Sequence, residues 1–381
     1  MKRRLAIITE IIAPYRTPVF NVLAGYPEID LHVIFLAETD RSRYQWLVDR
    51  NALEFSHEVL PSWRKRIGQH DFLLNWGAEQ SLQRFAPDGI VCGGYNYVAA
   101  WKALRWAKQH SVPFYLWVES NANDQRSGSL WVETLKSRFV GQCDGFVVPG
   151  QAARDYVKSY GRSQEISVAP NAVNTEFFAE HSAAARLNAS KNRFHFNLPP
   201  RYFLFVGRFV AEKGIFDLLE AYRALPQSVR NEVGLVLVGD GPARPEIEKL
   251  ASTTNSGTVK IVGFAQGEKL AAYYGLADIF VFPTHTDPWG LVVNEAMSCG
   301  LPVICSNVAG CTRDLIEEGV TGRLVRPRHI GQLAAVMEQL ARDPVSARRL
   351  GENARLRIAA YSPAACAAGI ANAVLCRRVA A

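Results

Sequence analysis

The chain has 381 residues, of which 48% are hydrophobic and 21% are charged, and this composition excludes fibrous and disordered proteins. Because a single hydrophobic core seldom extends beyond about 250–300 residues, the length predicts two domains. The formal net charge of +7 favours anionic partners, namely nucleic acid, an anionic membrane face or phosphorylated small molecules, and does not choose among them.

Short apolar segments alternate with amphipathic segments through the first half of the chain, which predicts buried strands alternating with helices. The opening MKRRLAIITE has too short an apolar run for a secretory signal and predicts a buried strand at Leu5–Thr9. A helix is predicted at Phe72–Phe85 and a strand at Phe114–Val118. Such alternation implies a largely parallel sheet, so residues 1–178 are predicted to form one Rossmann-like α/β domain.

A polar segment without a strand, which ends in two prolines, separates the two halves and predicts a linker at residues 179–200. The alternation of strands and helices restarts in residues 201–360 and predicts a second Rossmann-like domain. Residues 361–381 contain a last helix that is predicted to return to the first domain. Because open parallel sheets bind ligands at the carboxyl ends of their strands, two such sheets are expected to face a central cleft.

The cysteines and the hydropathy pattern bear on the compartment. The seven cysteines lack paired spacing, which favours a reducing, cytoplasmic environment. Cys299, Cys305 and Cys311 are evenly spaced but fall on a predicted helix end, a strand and a loop, so inert buried thiols are favoured over metal ligands. No stretch of about eighteen apolar residues is present, so no membrane-spanning helix is expected.

One strand–loop–helix unit, residues 284–306, carries two acidic residues beside a predicted helix start. Asp287 lies in the loop, and Glu295 lies eight positions later on the helix. The helix N-terminus between them has free backbone N–H groups that can bind an anion. An ordinary α/β unit with a solvated Asp and Glu has the same residue pattern, so these residues alone do not decide between a site and a surface loop.

Two cations follow another predicted strand, which ends at Val206. Arg208 comes just after the strand, and Lys213 precedes the next helix. Arginine can contact phosphate oxygens bidentately and lysine acts as a point charge, so the pair suits a diphosphate. Solvated surface cations are the alternative, and the position at a strand end favours the diphosphate.

Several nucleotide-binding motifs are absent from the sequence. The glycine-rich turn at residues 238–242, VGDGP, lacks the continuation of a dinucleotide-binding loop, and the chain has no P-loop motif. It also has no D-x-D pair that could clamp a metal diphosphate. A dedicated carboxylate clamp is therefore not evident, and cations and backbone N–H groups would have to neutralise any bound diphosphate.

Trp63-Arg64-Lys65-Arg66 is a compact basic and aromatic segment, with Phe72 and Trp76 nearby. Nucleic-acid binding would need such residues to be interleaved on one face. A solvated surface loop is one interpretation. The other is a patch for an anionic membrane, where Trp lies at the headgroup level and the basic residues meet anionic lipid.

Several segments together resemble the family 4 retaining glycosyltransferases, which have the GT-B fold. DPWGLVVNEA, residues 287–296, is similar to the E-x(7)-E signature of that family. Three further segments resemble family motifs: VAPNAVNTEFF at residues 168–178, FVGRFVAEKG at 205–214 and LVGDGP at 237–242. The resemblance covers the second half of the chain and implies an acceptor-binding first domain and a donor-binding second domain.

The resemblance also implies roles for individual residues, with a nucleotide-diphospho-sugar as co-substrate. Arg208 and Lys213 would hold the diphosphate, Glu295 the ribose, and Asp287 the hydroxyls of the transferred sugar. The residues that would complete the donor pocket through backbone groups or contact with the base are Gly207, Phe264, Gly290, Leu291 and Val292.

Three departures from the family pattern affect this assignment. Asp287 stands where the family usually has Glu, which bears on the identity of the sugar. The loop at residues 13–18 lacks the glycine pair of the family; Arg16 within it is either an anion contact or a capping or surface residue. Glu119 stands where many members have His and is a candidate for the catalytic site.

The sequence therefore predicts a cytoplasmic retaining glycosyltransferase with peripheral contact to the inner membrane face. The donor would be a UDP-sugar, or alternatively a GDP-sugar, and the acceptor a glycan or lipid-linked glycan in cell-surface polysaccharide biosynthesis. No cofactor, metal or nucleic acid is expected. Two alternatives stay open: a sugar-nucleotide epimerase of the same architecture, and a non-enzymatic basic binding module for nucleic acid or lipid.

Overall fold

The computed structural model describes residues 2–40, 46–67, 70–124, 130–162, 166–252 and 258–376. They belong to two compact units. The first unit contains the chain up to Ala172 and again from Pro363 onward, and the second contains Val173–Ser362.

A parallel sheet of seven strands lies at the centre of the first unit, in the order β3-β2-β1-β6-β7-β8-β9. The strands of this unit are β1 (Arg3–Thr9), β2 (Ile29–Phe35), β3 (Ser56–Val59), β4 (Ser62–Ile67), β5 (His70–Asn75), β6 (Gly89–Cys92), β7 (Phe114–Trp117), β8 (Gly145–Val148) and β9 (Ile166–Val168). Its helices are α1 (Thr17–Ala24), α2 (Ala78–Phe85), α3 (Val98–Gln109), α4 (Leu130–Gln142), α5 (Gln151–Ser159) and α16 (Pro363–Leu375).

The central strands of this sheet are buried on both faces, as their continuous apolar sequences predict. Leu5 and Ile7 of β1 pack with α1 and α16 on one face. Ala6 and Ile8 pack with α3 and α4 on the other. The predicted strands at Leu5–Thr9 and Phe114–Val118 are thus confirmed, to within two residues.

The predicted helix at Phe72–Phe85 is wrong over its first part. Residues His70–Asn75 form β5, which pairs antiparallel with β4 as a separate hairpin, and the helix α2 begins only at Ala78. Phe72, Leu73 and Leu74 form a short continuous apolar run, and such a run does not distinguish a strand from a helix. The pairing with β4, which is not a property of the segment itself, decides the outcome.

The second unit contains a parallel sheet of six strands in the order β12-β11-β10-β13-β14-β15. These strands are β10 (Tyr202–Val206), β11 (Gly234–Val238), β12 (Val259–Gly263), β13 (Ile279–Phe282), β14 (Val303–Ser306) and β15 (Arg323–Val325). The helices are α6 (Thr175–Leu187), α7 (Ala189–His195), α8 (Ile215–Ala224), α9 (Gln227–Glu232), α10 (Arg244–Ser252), α11 (Gly267–Leu276), α12 (Leu291–Ser298), α13 (Thr312–Leu315), α14 (Ile330–Arg342) and α15 (Pro344–Ile358).

The segment predicted as a linker, residues 179–200, lies mostly within α6 and α7 and packs inside the second unit. Asn174 caps α6 by accepting a hydrogen bond from the N–H of Phe177 at 3.1 Å. A Cβ atom at Gly275 would come within 2.6 Å of the Ser182 carbonyl oxygen, so only glycine lets α11 approach α6 so closely. The division between the units therefore falls at Ala172–Val173, before the polar segment begins.

Among the described residues, one helical stretch, Pro344–Leu375, is long and apolar enough to cross a membrane, since an eighteen-residue window within it has a mean hydropathy of 1.5. It joins three helical pieces: α15, a 3₁₀ turn at Ala359–Tyr361, and α16, which begins after the extended residue Ser362. α16 buries an apolar face in the core of the first unit. Because a core helix meets the same criteria, the stretch carries little weight as a membrane span.

Gly214 joins β10 to α8 through the left-handed backbone region, with φ of +68°. A Cβ atom here would overlap the carbonyl oxygen of Pro283, which follows β13. We expect Gly214→Ala to lower the free energy of unfolding by about 2 kcal/mol or more, because both the backbone angle and the space are unfavourable. Urea denaturation of both proteins measures the difference.

Gly331→Ala is the matched control, since Gly331 lies in α14 with nothing within 4 Å of the added methyl group. There the free energy of unfolding should rise by up to about 1 kcal/mol, because alanine favours the helix. Equal stability of Gly214→Ala and the original chain would contradict the close approach to Pro283.

Candidate functional site

The two central strands of the second sheet, β10 and β13, are neighbours. After β10 the next strands are added on one side of the sheet, and after β13 they are added on the other side. Open α/β sheets bind ligands at such a switch point, outside the carboxyl ends of the strands. Arg208 and Lys213 follow β10, and Asp287 follows β13. The fold thus brings the predicted cations and the first predicted acid to one place.

Lys213 and Asp287 form an ion pair, with 2.5 Å between Nζ and Oδ2. Their side chains are only 14% and 16% exposed, so water screens the attraction less than on an open surface. The other carboxylate oxygen of Asp287 accepts a hydrogen bond from the N–H of Trp289 at 3.0 Å. The loops after β10 and β13 are thereby joined by a charge-assisted contact, which the sequence did not predict.

The short turn that carries Lys213 is also held through its backbone. The carbonyl oxygen of Glu212 accepts hydrogen bonds from the N–H of His285 at 2.8 Å and from the hydroxyl of Thr284 at 2.9 Å. His285 Nε2 lies 2.8 Å from Oδ2 of Asp217, on the first turn of α8. These contacts restrict the position of the Lys213 ammonium group.

Asp217, Thr284 and His285 were not among the predicted site residues. A signal was present, because His285 follows a strand end by three residues and Asp217 follows Lys213 by four. Without the sheet order there is no reason to place the two segments side by side.

The start of α12 is shaped by Gly290, which adopts φ of +95°. A Cβ atom at Gly290 would lie 2.9 Å from the ring of Phe282, so the strand end and the helix start approach closely here. Gly290 at the N-cap position has no side chain that could cap α12, and the helix itself cannot satisfy its first backbone N–H groups, which include those of Leu291 and Val292. The positive end of the helix dipole adds to this anion-binding character.

Glu295 lies on α12, and its Oε2 accepts a hydrogen bond from the Tyr274 hydroxyl at 2.7 Å. Burial raises the pKa of Glu295 from 4.5 to about 7, although the hydrogen bond from Tyr274 partly opposes the shift. No further hydrogen bond to this carboxyl group occurs among the described residues. Glu295 therefore has acceptor capacity that the described residues do not use.

The glycine-rich turn after β11 has a structural explanation. A Cβ atom at Gly239 would overlap the carbonyl oxygen of Gly207, and one at Gly241 would lie 2.5 Å from that of Phe209. The N–H of Phe209 donates to the Asp240 carbonyl at 2.8 Å. The turn is thus packed directly against the backbone that precedes and follows Arg208.

Arg208 itself is exposed, and it has no ion pair within the part of the chain that the structure describes. Phe264 is partly buried and follows β12, at the same edge of the sheet and two strands away from β10. Arg208 therefore lies beside the switch point, and Phe264 lies further along the sheet edge. Neither residue contacts the Lys213–Asp287 pair through a hydrogen bond or ion pair in the described chain.

Arg16 and Glu119 belong to the first unit, where they form an ion pair with 2.9 Å between Nη2 and Oε1. The Arg16 guanidinium lies 4.0 Å from the ring centroid of Trp117, and its Nη1 has no hydrogen-bond partner among the described residues. Burial disfavours the charged guanidinium, but Glu119 and Tyr15 outweigh it and raise the pKa of Arg16. Arg16 is therefore a buried cation and not a surface residue, and Glu119 is committed to it.

Metal ligation finds no support in the side-chain arrangement. Within the described ranges there is no group of three or more His, Cys, Asp or Glu residues that could hold a metal ion. All seven cysteines are free thiols, and Cys299, Cys305 and Cys311 are buried. Burial raises the pKa of the Cys299 thiol to about 12, so this thiol stays protonated and inert.

Comparison with known proteins gives matches to both halves of the chain. Residues 27–177 match the family model Glycosyltransferase Family 4, and residues 188–357 match the family model Glycosyl transferases group 1. The two matches together cover most of the chain and meet near the division between the two units.

Curated relatives match only parts of the chain. The Alpha-D-kanosaminyltransferase of Streptomyces kanamyceticus is 37% identical over 42% of this chain and 41% of its own length. The glycogen synthase of Mycobacterium tuberculosis is 28% identical over 71% of this chain and 64% of its own length. The chain thus spans less than two thirds of the length of these relatives.

The fold is shared more completely. HepE of Anabaena, solved in complex with UDP, superposes with a TM-score of 0.77 at 17% identity, over 99% of this chain and 100% of HepE. The predicted GT-B fold is thus confirmed, and the resemblance to glycosyltransferases is supported by the domain matches. Each half of the chain is similar to a glycosyltransferase domain, and the whole chain has the GT-B fold.

Proposed function

We propose that this chain is a retaining glycosyltransferase that moves a sugar from a nucleotide-diphospho-sugar to a hydroxyl group of a glycan or lipid-linked glycan. The observation that carries the proposal is the arrangement at the switch point of the second sheet. There the Lys213–Asp287 pair, the exposed Arg208 and the uncapped start of α12 lie at the ends of two neighbouring strands. A cationic site next to a helix N-terminus suits a diphosphate.

The donor would lie along the carboxyl edge of this sheet. Arg208 and Lys213 would contact the diphosphate, and the N–H groups at Leu291 and Val292 would donate to its oxygens. The unused oxygen of Glu295 would accept hydrogen bonds from the ribose hydroxyls. The base would lie near Phe264, beyond β11. In this proposal the second unit binds the donor, and the first unit, with Arg16 and Glu119, binds the acceptor.

Asp287 would contact the hydroxyls of the transferred sugar. Its carboxylate is already held by Lys213 and by the Trp289 N–H, which favours a role as an oriented hydrogen-bond acceptor over that of a nucleophile. We therefore propose a front-face reaction. The acceptor oxygen bonds to the anomeric carbon, the bond to the leaving phosphate oxygen breaks, and that oxygen takes the proton of the acceptor hydroxyl.

The charge of the departing diphosphate would be met by Arg208, Lys213 and the α12 dipole, so the proposed reaction needs no metal ion. A UDP-sugar is favoured as the donor, since HepE of Anabaena, which shares the fold, was solved with UDP. The proposed role is in cell-surface polysaccharide biosynthesis, and the proposed compartment is the cytoplasm. The seven free thiols support the compartment, because free thiols are typical of a reducing environment.

Replacing either cation should abolish most of the transfer activity. We expect Arg208→Ala and Lys213→Ala to lower kcat by about 10²–10³-fold, because each removes a group that stabilises the leaving diphosphate. Steady-state kinetics with the preferred donor measures the effect. Arg208→Ala is the cleaner variant, because its removal breaks no ion pair in the described chain.

Arg223→Ala serves as the matched control, since Arg223 is an exposed arginine near the end of α8 in the same unit. It should retain full activity. Near-normal turnover in both Arg208→Ala and Lys213→Ala would show that the diphosphate does not bind at this strand end.

Because of Glu295, the free energy of unfolding and the affinity for the donor should change in opposite directions with pH. Its folded pKa of about 7 lies above the usual 4.5, so its contribution to stability is present below about pH 4.5 and is lost as the pH rises through 7. Donor affinity should instead increase over this range, because the ionised carboxylate is the better acceptor for ribose hydroxyls. Denaturation curves and donor titrations across the range test both trends.

Glu295→Gln should remove both dependences, whereas Glu246→Gln, at an exposed position on α10, should leave them unchanged. Donor affinity that follows pH equally in the original chain and in Glu295→Gln would refute the assignment of Glu295 to the ribose.

A thermal-shift panel of UDP-, GDP- and ADP-sugars tests the donor class directly. One sugar nucleotide should stabilise the protein, by about 2.7 kcal/mol at a concentration one hundred times its Kd. Mass analysis of the products then identifies the reaction, because transfer enlarges an acceptor whereas epimerisation changes no mass. Stabilisation by none of the nucleotides, or turnover without any acceptor product, would contradict the proposal.

A further inference from the structure

The hairpin formed by β4 and β5 stands apart from both large sheets and follows β3 at the carboxyl end of the first sheet. In its antiparallel register Trp63 pairs with Leu74, and Lys65 pairs with Phe72. Because side chains alternate across a strand, these four residues share one face of the hairpin. We call this the outer face, together with Trp76, which continues the alternation past the end of β5.

The opposite, inner face anchors the hairpin to the rest of the unit. Arg64 donates a hydrogen bond to Asp40 at 2.5 Å and lies 3.7 Å from the carboxylate of Glu10, at the end of β1. Leu73 and Asn75 are buried, and Asn75 donates a hydrogen bond to the carbonyl oxygen of Leu36. The inner face thus attaches the hairpin to the rest of the first unit, and the side chains of the outer face are exposed on an ordered hairpin.

The outer face combines large apolar side chains with one cation. Trp63 is 47% exposed, Phe72 50%, Leu74 39% and Trp76 54%. Lys65 is exposed, and its ammonium nitrogen lies 6.0 Å from the ring centroid of Trp63. In the described hairpin no register position on this face carries an acidic residue. Soluble surfaces rarely leave four large apolar side chains adjacent to one another without a function.

We propose that the outer face of this hairpin binds the surface of an anionic lipid bilayer. Tryptophan partitions to the headgroup region, where its ring contacts acyl chains and its N–H stays hydrated. Phe72 and Leu74 supply apolar area that enters the interface, and Lys65 contacts anionic headgroups. A two-stranded ribbon fixed at its inner face projects these side chains together, as shallow insertion into a membrane requires.

Charge complementarity distinguishes a bilayer from a second copy of this chain as the occupant of the outer face. A second copy of this chain would bring Lys65 against a protein with a net charge of +7. An anionic bilayer offers the opposite charge and accepts tryptophan and lysine on the same surface. The observations therefore favour the membrane over self-association.

The test is flotation of the full-length protein with vesicles of phosphatidylglycerol and phosphatidylcholine in equal parts, and with vesicles of phosphatidylcholine alone. The protein should float with the anionic vesicles at low salt, and the binding should weaken at high salt. Trp63→Ser/Phe72→Ser should reduce binding more than tenfold, because two large apolar side chains no longer enter the interface. Lys65→Glu should reduce binding at least about fivefold, and only to anionic vesicles.

Phe194→Ser is the matched control, since Phe194 is an aromatic residue of the second unit that is 89% exposed. It should float as the original chain does. The melting temperature of each variant checks that the fold is intact. If Trp63→Ser/Phe72→Ser does not fold, Lys65→Glu decides the question, since it changes one exposed side chain without touching the inner face.

Absence of vesicle binding by the original chain, or equal binding by Trp63→Ser/Phe72→Ser and Phe194→Ser, would overturn the proposal. So would a dimer of the original chain that the hairpin variant dissociates while vesicle binding stays unchanged, because the face would then bind a second copy. Vesicle binding requires neither donor nor acceptor, so its failure would leave the proposed transferase activity untouched.

Discussion

The ion pair between Lys213 and Asp287 is the contact on which the candidate donor site depends. It joins the loop after β10 to the loop after β13, at the point where the sheet changes direction. The backbone contacts of Glu212 and the Asp217–His285 pair hold the same two loops together. A cation held in this way keeps its position without a ligand, so the proposed reaction would need less reorganisation as charge develops on the departing phosphate.

Glycine residues make this convergence sterically acceptable. Gly214 lets the start of α8 pass beside Pro283, and Gly290 lets α12 begin beside Phe282. The same principle acts after β11, where Gly239 lies against the backbone of Gly207. The glycine-rich turn at residues 238–242 therefore has a packing role, since it positions the segment carrying Arg208. The groups proposed to bind the diphosphate lie elsewhere, at the two cations and the start of α12.

The alternation of apolar and amphipathic segments was sufficient to predict two Rossmann-like domains, because buried parallel strands have continuous apolar sequences. Prediction was wrong where the outcome depends on a distant partner. Residues His70–Asn75, predicted in part as a helix, form the strand β5 because β4 pairs with them. The polar segment at residues 179–200 is mostly helical and packs within the second unit, where Gly275 of α11 lets α6 approach closely. Neither partner can be identified from the segment itself.

The sequence by itself determined which chemistry is available. It places two cations and one acid after strands and a second acid on the following helix, in the order typical of a glycosyltransferase family, and a basic aromatic segment near residue 63. The tertiary structure alone decided how these groups are used. It paired Lys213 with Asp287, left an oxygen of Glu295 unused, and committed Glu119 to Arg16. It also divided the residues near Trp63 between a buried and an exposed face. Chain order sets which residues follow each strand, but only the order of strands in the sheet sets which of them meet.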